Sequence, residues 1–282
     1  MSLTGAARIA GVMGWPVAHS RSPALHGFWL AEHGIDGAYV PLAVRPERAR
    51  QAITALPLLG FAGCNVTIPH KELALAAVDE IDASGRRAGA INMITVGADG
   101  KLTGANSDMF GFLENLRAGA PGWRAADGPA VVLGAGGGAR SVVAALADDG
   151  APEIRLLNRT QARAEEIARA LGGPVRCVPW NDRAHALAGV SLVVNATSLG
   201  MDGQPPLDLP LDQLPADAVV NDIVYVPLET PLLAAARARG NRVVDGLGML
   251  LHQGRPGFAA WFGVMPAVTP ALRRAMLATF AR

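Results

Sequence analysis

Two groups of residues in this chain combine types that chemistry needs. The first is Gly134-Ala135-Gly136-Gly137-Gly138-Ala139, which follows directly on the apolar run Ala130–Leu133. The spacing is GxGxxA. A first glycine permits a tight turn out of a strand. A second lets the backbone approach a pyrophosphate, and a small third residue lets helix and strand pack closely. The helix that follows offers N–H groups and its positive dipole end to the phosphates. Gly-rich turns alone are common, but here a strand-length apolar run precedes the loop and a helical pattern follows it. In NAD-binding loops an acid about 20 residues on binds the ribose 2′-hydroxyl. This chain instead has Asn158-Arg159-Thr160, with Arg163 one turn later. An acid would repel a 2′-phosphate, whereas a guanidinium pairs with it and a Thr hydroxyl adds a bond. NADP(H) is therefore expected. Arg163 is equally well explained as part of a solvated helix start.

The second group is spread over the first 108 residues. Ser20 and Ser22 precede Pro23, a strong helix start with Ser22 at the cap and Pro23 in the first helical position. Two hydroxyls at a positive helix end suit a carboxylate. Capping alone explains Ser22 but explains Ser20 less well. In Asn65-Val66-Thr67-Ile68-Pro69-His70-Lys71, polar groups end a strand and Lys71 falls at an expected helix start. Cations are disfavoured there, which marks Lys71 as a site candidate, and the dipole would favour its neutral form. Asn92 and Asn106-Ser107-Asp108 are polar residues at the edges of apolar strands. Singly they read as turns or caps.

The remaining composition narrows the setting. Of 282 residues, 50% are hydrophobic and 17% charged, with a formal net charge of +1. This is a globular chain with no bulk affinity for nucleic acid or anionic membranes. The cysteines, Cys64 and Cys177, have no CxxC spacing, and the six histidines form no HExxH pattern. Neither a disulfide framework nor a metal site is expected. No basic leader and no membrane-spanning run is read, so a cytoplasmic protein is expected.

These residues need elements to position them, and strand-like and helix-like segments alternate along the chain. Strands are expected at Arg8–Met13, Ala38–Val44, Cys64–Ile68, Ala130–Leu133, Glu153–Leu157, Ser191–Asn195, Ala218–Val224 and Arg242–Val244. Asn92–Val96 and Leu102–Asn106 flank Gly97-Ala98-Asp99-Gly100 as a hairpin. Helices are expected at Ser22–His33, Pro46–Leu58, after Pro69, at Phe110–Arg117, from the glycine loop to Ala147, at Thr160–Leu171, and over most of Gly246–Arg282. The fold class is α/β, with parallel sheets covered by helices. Two domains are expected: 1–109 with 246–282, and 110–245. The helical tail has no strand to pair with and crosses back onto the first block.

In order, the chain carries Ser20-x-Ser22-Pro23, Asn65-Val66-Thr67-Ile68-Pro69-x-Lys71, Asn106-x-Asp108, Gly134-Ala135-Gly136-Gly137, Asn158-Arg159-Thr160, Asn195-Ala196-Thr197-Ser198 and Asp245-Gly246-Leu247-Gly248-Met249-Leu250. Over nearly its whole length it resembles the shikimate dehydrogenase family. The resemblance implies an N-terminal α/β substrate domain, a Rossmann-type NADP-binding domain and a deep cleft between them. It implies NADPH-dependent, reversible reduction of 3-dehydroshikimate to shikimate by a monomer or homodimer. Lys71 and Asp108 would form the catalytic pair. Ser20 and Ser22 would hold the substrate carboxylate, and Thr67, Asn92, Asp108 and Gln253 its hydroxyls, with Tyr225 nearby. Ile223, Gly246 and Met249 would lie at the nicotinamide end, and Thr197 and Ser198 would border the cofactor. Two rivals share the fold: a quinate/shikimate or aminoshikimate dehydrogenase, and a non-catalytic NADPH-binding sensor. Against the family pattern, Met93 replaces a common Thr, Ser107 a usual Thr, and Ala139 a frequent Ser. Pro256, just past Gln253, is expected to break or kink its helix.

Overall fold

The computed structural model describes residues 3–280. The chain divides into two compact units. One runs to Ser107 and resumes at Gln253, and the other is Asp108–His252.

The first unit is built on β1 (Arg8–Gly14), whose residues from Ala10 onward are all buried. A strand covered on both faces is a continuous apolar or small-residue run, and Ala10 to Gly14 is one. After α1 (Ser22–Glu32), β2 (Gly37–Ala43) pairs parallel to β1. A 3₁₀ turn at Pro46–Arg48 and the short α2 (Ala49–Thr54) lead to β3 (Phe61–Val66), parallel to β1 on its other side. The helix expected over Pro46–Leu58 is thus cut short. Pro57 disfavours helical backbone in the residue before it.

Beyond β3 the chain departs further from expectation. No α-helix follows Pro69; a turn leads to a four-residue 3₁₀ segment, Leu73–Ala76. Then come β4 (Glu80–Ile81) and α3 (Ala83–Ala88), which Asp82 caps by accepting the Gly85 N–H at 2.8 Å. β5 (Met93–Val96) and β6 (Leu102–Ala105) form the expected hairpin, closed by Gly97 N–H to the Lys101 carbonyl at 2.8 Å. The sheet order is β2-β1-β3-β5-β6-β4. Because the hairpin makes β5 antiparallel to β3 and β6, this sheet is mixed rather than purely parallel.

The second unit opens with α4 (Asp108–Gly119). It continues through β7 (Ala130–Leu133), α5 (Gly137–Asp148), β8 (Ile154–Leu157), α6 (Gln161–Leu171), β9 (Val175–Cys177), β10 (Leu192–Asn195), β11 (Val219–Asp222), α7 (Pro231–Ala238) and β12 (Arg242–Val244). The strand order is β12-β11-β10-β7-β8-β9, with every pairing parallel. Order reverses beside β7, the switch point at which ligands bind in open α/β sheets. The registers Asn195↔Leu133, Asn195↔Asp222 and Leu133↔Leu157 bring the carboxyl ends of four strands level. β7 is fully apolar and buried, as are Leu156, Leu157, Val193 and Val194 beside it.

α8 (Leu247–Phe262) begins in the second unit and ends in the first, and α9 (Pro270–Leu277) follows. The expected break at Pro256 does not occur, since the helix is continuous through it. Proline removes one backbone donor, but Leu251, Phe258 and Trp261 on either side of it are fully buried. Tertiary packing of an apolar face outweighs one lost intrahelical bond. From Gln253 the tail belongs to the first unit. There Trp261 Nε1 donates to the Ile94 carbonyl at 3.0 Å and Trp29 Nε1 to the Ala267 carbonyl at 3.2 Å.

Candidate active site

In the first unit the polar candidates gather at one end of the sheet. β1 ends at Gly14, where a Cβ would lie 2.5 Å from Thr67 Cγ2, so Thr67 packs on the start of the Ser20–Ser22 loop. Thr67 N–H donates to the Met13 carbonyl at 2.9 Å, which holds the ends of β1 and β3 side by side. The capping geometry at the two serines differs from the expected one. Ser22 is buried and lies inside α1, with Arg21 at the cap. Ser20 Oγ accepts the Ser22 N–H at 3.3 Å, so Ser20 takes over a capping bond. The Ser22 hydroxyl instead bonds the phenol of Tyr39.

From Ser22 a buried polar chain runs across the sheet. Tyr39 OH donates to Asn65 Oδ1 at 2.6 Å, and Asn65 Nδ2 donates to the Asn92 carbonyl at 2.9 Å. The Asn92 amide closes on Ser107: Asn92 Oδ1 accepts the Ser107 N–H at 2.7 Å, and Nδ2 donates to Ser107 Oγ at 3.1 Å. Asn106 Nδ2 donates to the Ala90 carbonyl at 3.1 Å. Asn65 and Tyr39 are thus structural partners of the candidates; a buried Tyr among apolar strand residues was the sequence signal for Tyr39. Burial pushes the Tyr39 phenol well above its ordinary range, and the nearby Cys64 adds to this.

Lys71 is half-buried and sits in the turn after Thr67, with its carbonyl accepting the Ile91 N–H at 2.9 Å. Since no α-helix starts there, the dipole argument made from the sequence does not apply to Lys71. Asp108 follows Ser107 directly and is buried as the first residue of α4. Gln253 belongs to the first unit, and Tyr225, half-buried, to the second.

In the second unit most dinucleotide candidates come from loops at the level ends of β7, β8, β10 and β11, with Gly246 just after β12 and Met249 in α8. Gly134 has φ +113°, and a Cβ there would lie 2.7 Å from the Ala196 carbonyl oxygen and 3.2 Å from Thr197 Cγ2. Only glycine fits that approach. Gly136 caps α5 without a side-chain bond, and open space surrounds both Gly136 and Gly137. A phosphate placed there would meet bare backbone and a helix N-terminus, the cradle the fingerprint requires. Ala139 is buried in the core beneath.

Gly138 faces Ile223, whose Cδ1 would be 3.0 Å from an added Cβ, and Gly246 is buried against the Ile223 carbonyl. Met249 is buried in the core cluster on which Ile223 packs. Asn158 Nδ2 donates to the Thr160 carbonyl at 2.8 Å, shaping the turn after β8. Arg159 and Thr160 are exposed on that turn and Arg163 is exposed in the first turn of α6, with Thr160 at the N-cap making no side-chain capping bond. Ser198 is exposed beside Thr197. These residues fit a 2′-phosphorylated dinucleotide.

Sequence reading missed a buried polar cluster behind these loops. Asn195 Nδ2 donates to both oxygens of Asp222, at 3.0 and 3.1 Å, and to the Leu199 carbonyl at 3.0 Å. Asn195 Oδ1 accepts from Thr197 Oγ1 at 2.7 Å and from Thr197 N–H at 3.1 Å. Polar residues closing the apolar strands Leu192–Asn195 and Val219–Asp222 were the available signal.

Known proteins are similar to this chain in sequence and fold. A family model described as the shikimate dehydrogenase substrate binding domain matches residues 12–94, and one described as shikimate / quinate 5-dehydrogenase matches 122–200. A shikimate dehydrogenase (NADP(+)) from Rhodospirillum rubrum is 62% identical over 279 residues, covering 98% of this chain and 99% of that one. Shikimate 5-dehydrogenase from Thermus thermophilus, solved with NADP(H) and shikimate, superposes with a TM-score of 0.85 at 38% identity, over 96% and 99% of the two chains. Quinate dehydrogenase from Corynebacterium glutamicum, solved with NAD, reaches a TM-score of 0.89 at 30% identity over 96% and 99%. The chain belongs to the shikimate dehydrogenase family.

Proposed function

We infer that the protein is an NADP-dependent oxidoreductase that reversibly reduces 3-dehydroshikimate to shikimate, a step toward chorismate and the aromatic amino acids. The observation that carries this reading is the 62% identity, over almost both full lengths, to a shikimate dehydrogenase (NADP(+)). When bound, NADPH supplies the hydride for the carbonyl carbon. The rest of the chemistry falls to the chain. Lys71, as an ammonium, stabilises the oxygen that becomes the alkoxide and gives it a proton; in the oxidative direction it takes the proton back. Asp108 orients Lys71 and binds a ring hydroxyl.

Ser20 and Ser22 bind the carboxylate, Thr67, Asn92 and Gln253 bind hydroxyls, and Tyr225 lies beside them. The buried Ser22–Tyr39–Asn65–Asn92 chain supports these assignments, because it locks side chains with hydroxyl and amide groups in one arrangement. Residues Gly134 to Ala139, Asn158, Arg159, Thr160, Arg163, Thr197, Ser198, Ile223, Gly246 and Met249 hold the cofactor. The first unit supplies Ser20, Ser22, Thr67, Lys71, Asn92 and Gln253 for the substrate, and the second supplies Asp108, Tyr225 and the dinucleotide residues. No helix among the described residues is long and apolar enough to cross a membrane. We place the enzyme in the cytoplasm as a monomer or homodimer.

The similarity to a quinate dehydrogenase solved with NAD keeps quinate as a second substrate to be tested. Asn158-Arg159-Thr160, without an acid, favours NADP over NAD. Absorbance at the reduced-nicotinamide band, followed with shikimate and quinate against NADP⁺ and NAD⁺, decides. The expected result is that shikimate with NADP⁺ has the highest kcat/KM. Quinate with NAD⁺ as the best pair would overturn the reading, and no turnover with any pair would point to the sensor.

A further inference from the structure

Asp222 is a fully buried carboxylate at the end of β11 that the reaction itself does not use. Burial pushes its carboxyl up from the usual range, and bonds from Thr230, Asn195 and Val224 pull it back; no cation contributes among the described residues. A buried carboxylate without a cation is costly unless donors satisfy it. Here the donors come from three loops. Asn195 Nδ2 reaches both oxygens, from the end of β10. Thr230 Oγ1 donates to Oδ2 at 2.7 Å and also caps α7 by accepting the Leu233 N–H. Val224 N–H donates to Oδ1 at 3.0 Å, from the segment that carries Ile223 and Tyr225.

The consequence is mechanical. Asn195 is clamped by Asp222 on its amide nitrogen, so its oxygen points at Thr197, whose hydroxyl in turn accepts the Leu199 N–H at 3.0 Å. The same carboxylate fixes the backbone on the far side of Ile223. We propose that Asp222 is a positioning residue, which acts through Asn195 to hold Thr197 beside the cofactor and through Val224 to hold Ile223 at its nicotinamide end. The proposal rests on the cofactor roles given above to Thr197 and Ile223. It places the effect at the nicotinamide end, away from the Arg159 turn, so NADP and NAD must feel it alike.

The test is steady-state kinetics and NADPH binding by fluorescence with Asp222→Asn, an isosteric change that cannot accept every bond the carboxylate takes. KM for NADP⁺ and for NAD⁺ should both rise by about tenfold, as losing one or two hydrogen bonds implies. Their ratio and kcat should stay within about threefold, changes under 1 kcal/mol. In the Asn195→Ala background the Asp222→Asn change should add little, because both act on one network. Cofactor KM values within twofold of wild type, a rise for NADP⁺ alone, or full additivity with Asn195→Ala would overturn the proposal. If Asp222→Asn does not fold, Thr230→Val and Thr230→Ser carry the test. Valine should raise both KM values together and serine should restore them; no rise with valine would refute the idea. Arg159→Ala separates the underlying reading. If that change leaves the NADP/NAD ratio untouched, the cofactor assignment fails; if it lowers the ratio while Asp222→Asn does nothing, only the present proposal fails.

Discussion

At the scale of single residues, the roles proposed for Lys71 and Arg159 divide the function between them, and each has a separable consequence. On the proposed mechanism, Lys71→Ala removes the group that meets the developing alkoxide. General acid chemistry by one positioned side chain is worth about 10²–10⁴ in rate, so kcat should fall by that range. NADPH affinity should stay near wild type, since Lys71 lies in the first unit and the dinucleotide loop in the second. Wild-type turnover would sink the assignment. Arg159 is exposed on the turn after β8, where its guanidinium is accessible to a 2′-phosphate. Hydrogen bonds to charged groups contribute about 1.5–3 kcal/mol. Arg159→Ala should therefore weaken NADPH by roughly ten- to hundredfold and leave NADH nearly unchanged. Equal losses for both cofactors, measured by fluorescence titration, would refute the 2′-phosphate role.

At the scale of elements, the turn from β7 into α5 contains two kinds of glycine. Gly134 is held at φ +113° with backbone pressed against it, whereas Gly136 caps α5 with open space around it. Gly134→Ala forces both a strained conformation and a close approach, and should cost about 1–3 kcal/mol or more of second-unit stability. Gly136→Ala should leave the thermal transition near wild type but weaken NADPH, because its methyl would occupy the space proposed for the pyrophosphate. A folded, tightly binding Gly134→Ala, or a strongly destabilised Gly136→Ala, would show the two assignments to be reversed.

This turn was legible in the sequence because its signals agree: four apolar residues, GxGxxA, then a helical pattern. Other elements lacked such agreement. β9 is three residues long with the exposed Arg176 at its centre, too short and too polar to announce itself. Pro69 looked like the first residue of a helix, yet the chain there turns, which changes the electrostatics assumed for Lys71. The candidate residues at strand ends could be named from their motifs. The partners of their supports, Tyr39, Asn65 and Asp222, could not be, because a polar side chain in an apolar strand is assigned its partner only by strand order, and that order is non-local.

At the scale of the molecule, the first unit is assembled from chain segments more than a hundred residues apart, and its stability should report on where they meet. His26 stacks on Tyr39 with centroids 3.9 Å apart and planes 1° from parallel. Its ring centroid also lies 5.6 Å from that of Trp29, 5.9 Å from Phe258 and 5.7 Å from Trp261. His26, Trp29 and Tyr39 come from the early segment, Phe258 and Trp261 from α8. Both His26 ring nitrogens are buried without a partner, and burial lowers its pKa from 6.5 to about 3. Between those values the unfolded chain binds a proton that the folded unit refuses. Stability of the first unit should therefore fall as pH drops from 6.5 toward 3, by about 1.4 kcal/mol per pH unit. Asp222 acts with the opposite sign in the second unit: its carboxyl is raised, so the folded form takes up a proton first and acid costs that unit less. The units should thus part in acid. Hydrogen exchange followed through a pH series should show β1 and β3 losing protection before β7 and β10. His26→Phe, which keeps an aromatic ring in the stack but cannot titrate, should flatten the slope at β1 and β3. If that variant loses protection with pH as steeply as wild type, the acid response of this unit arises elsewhere than in the His26 stack.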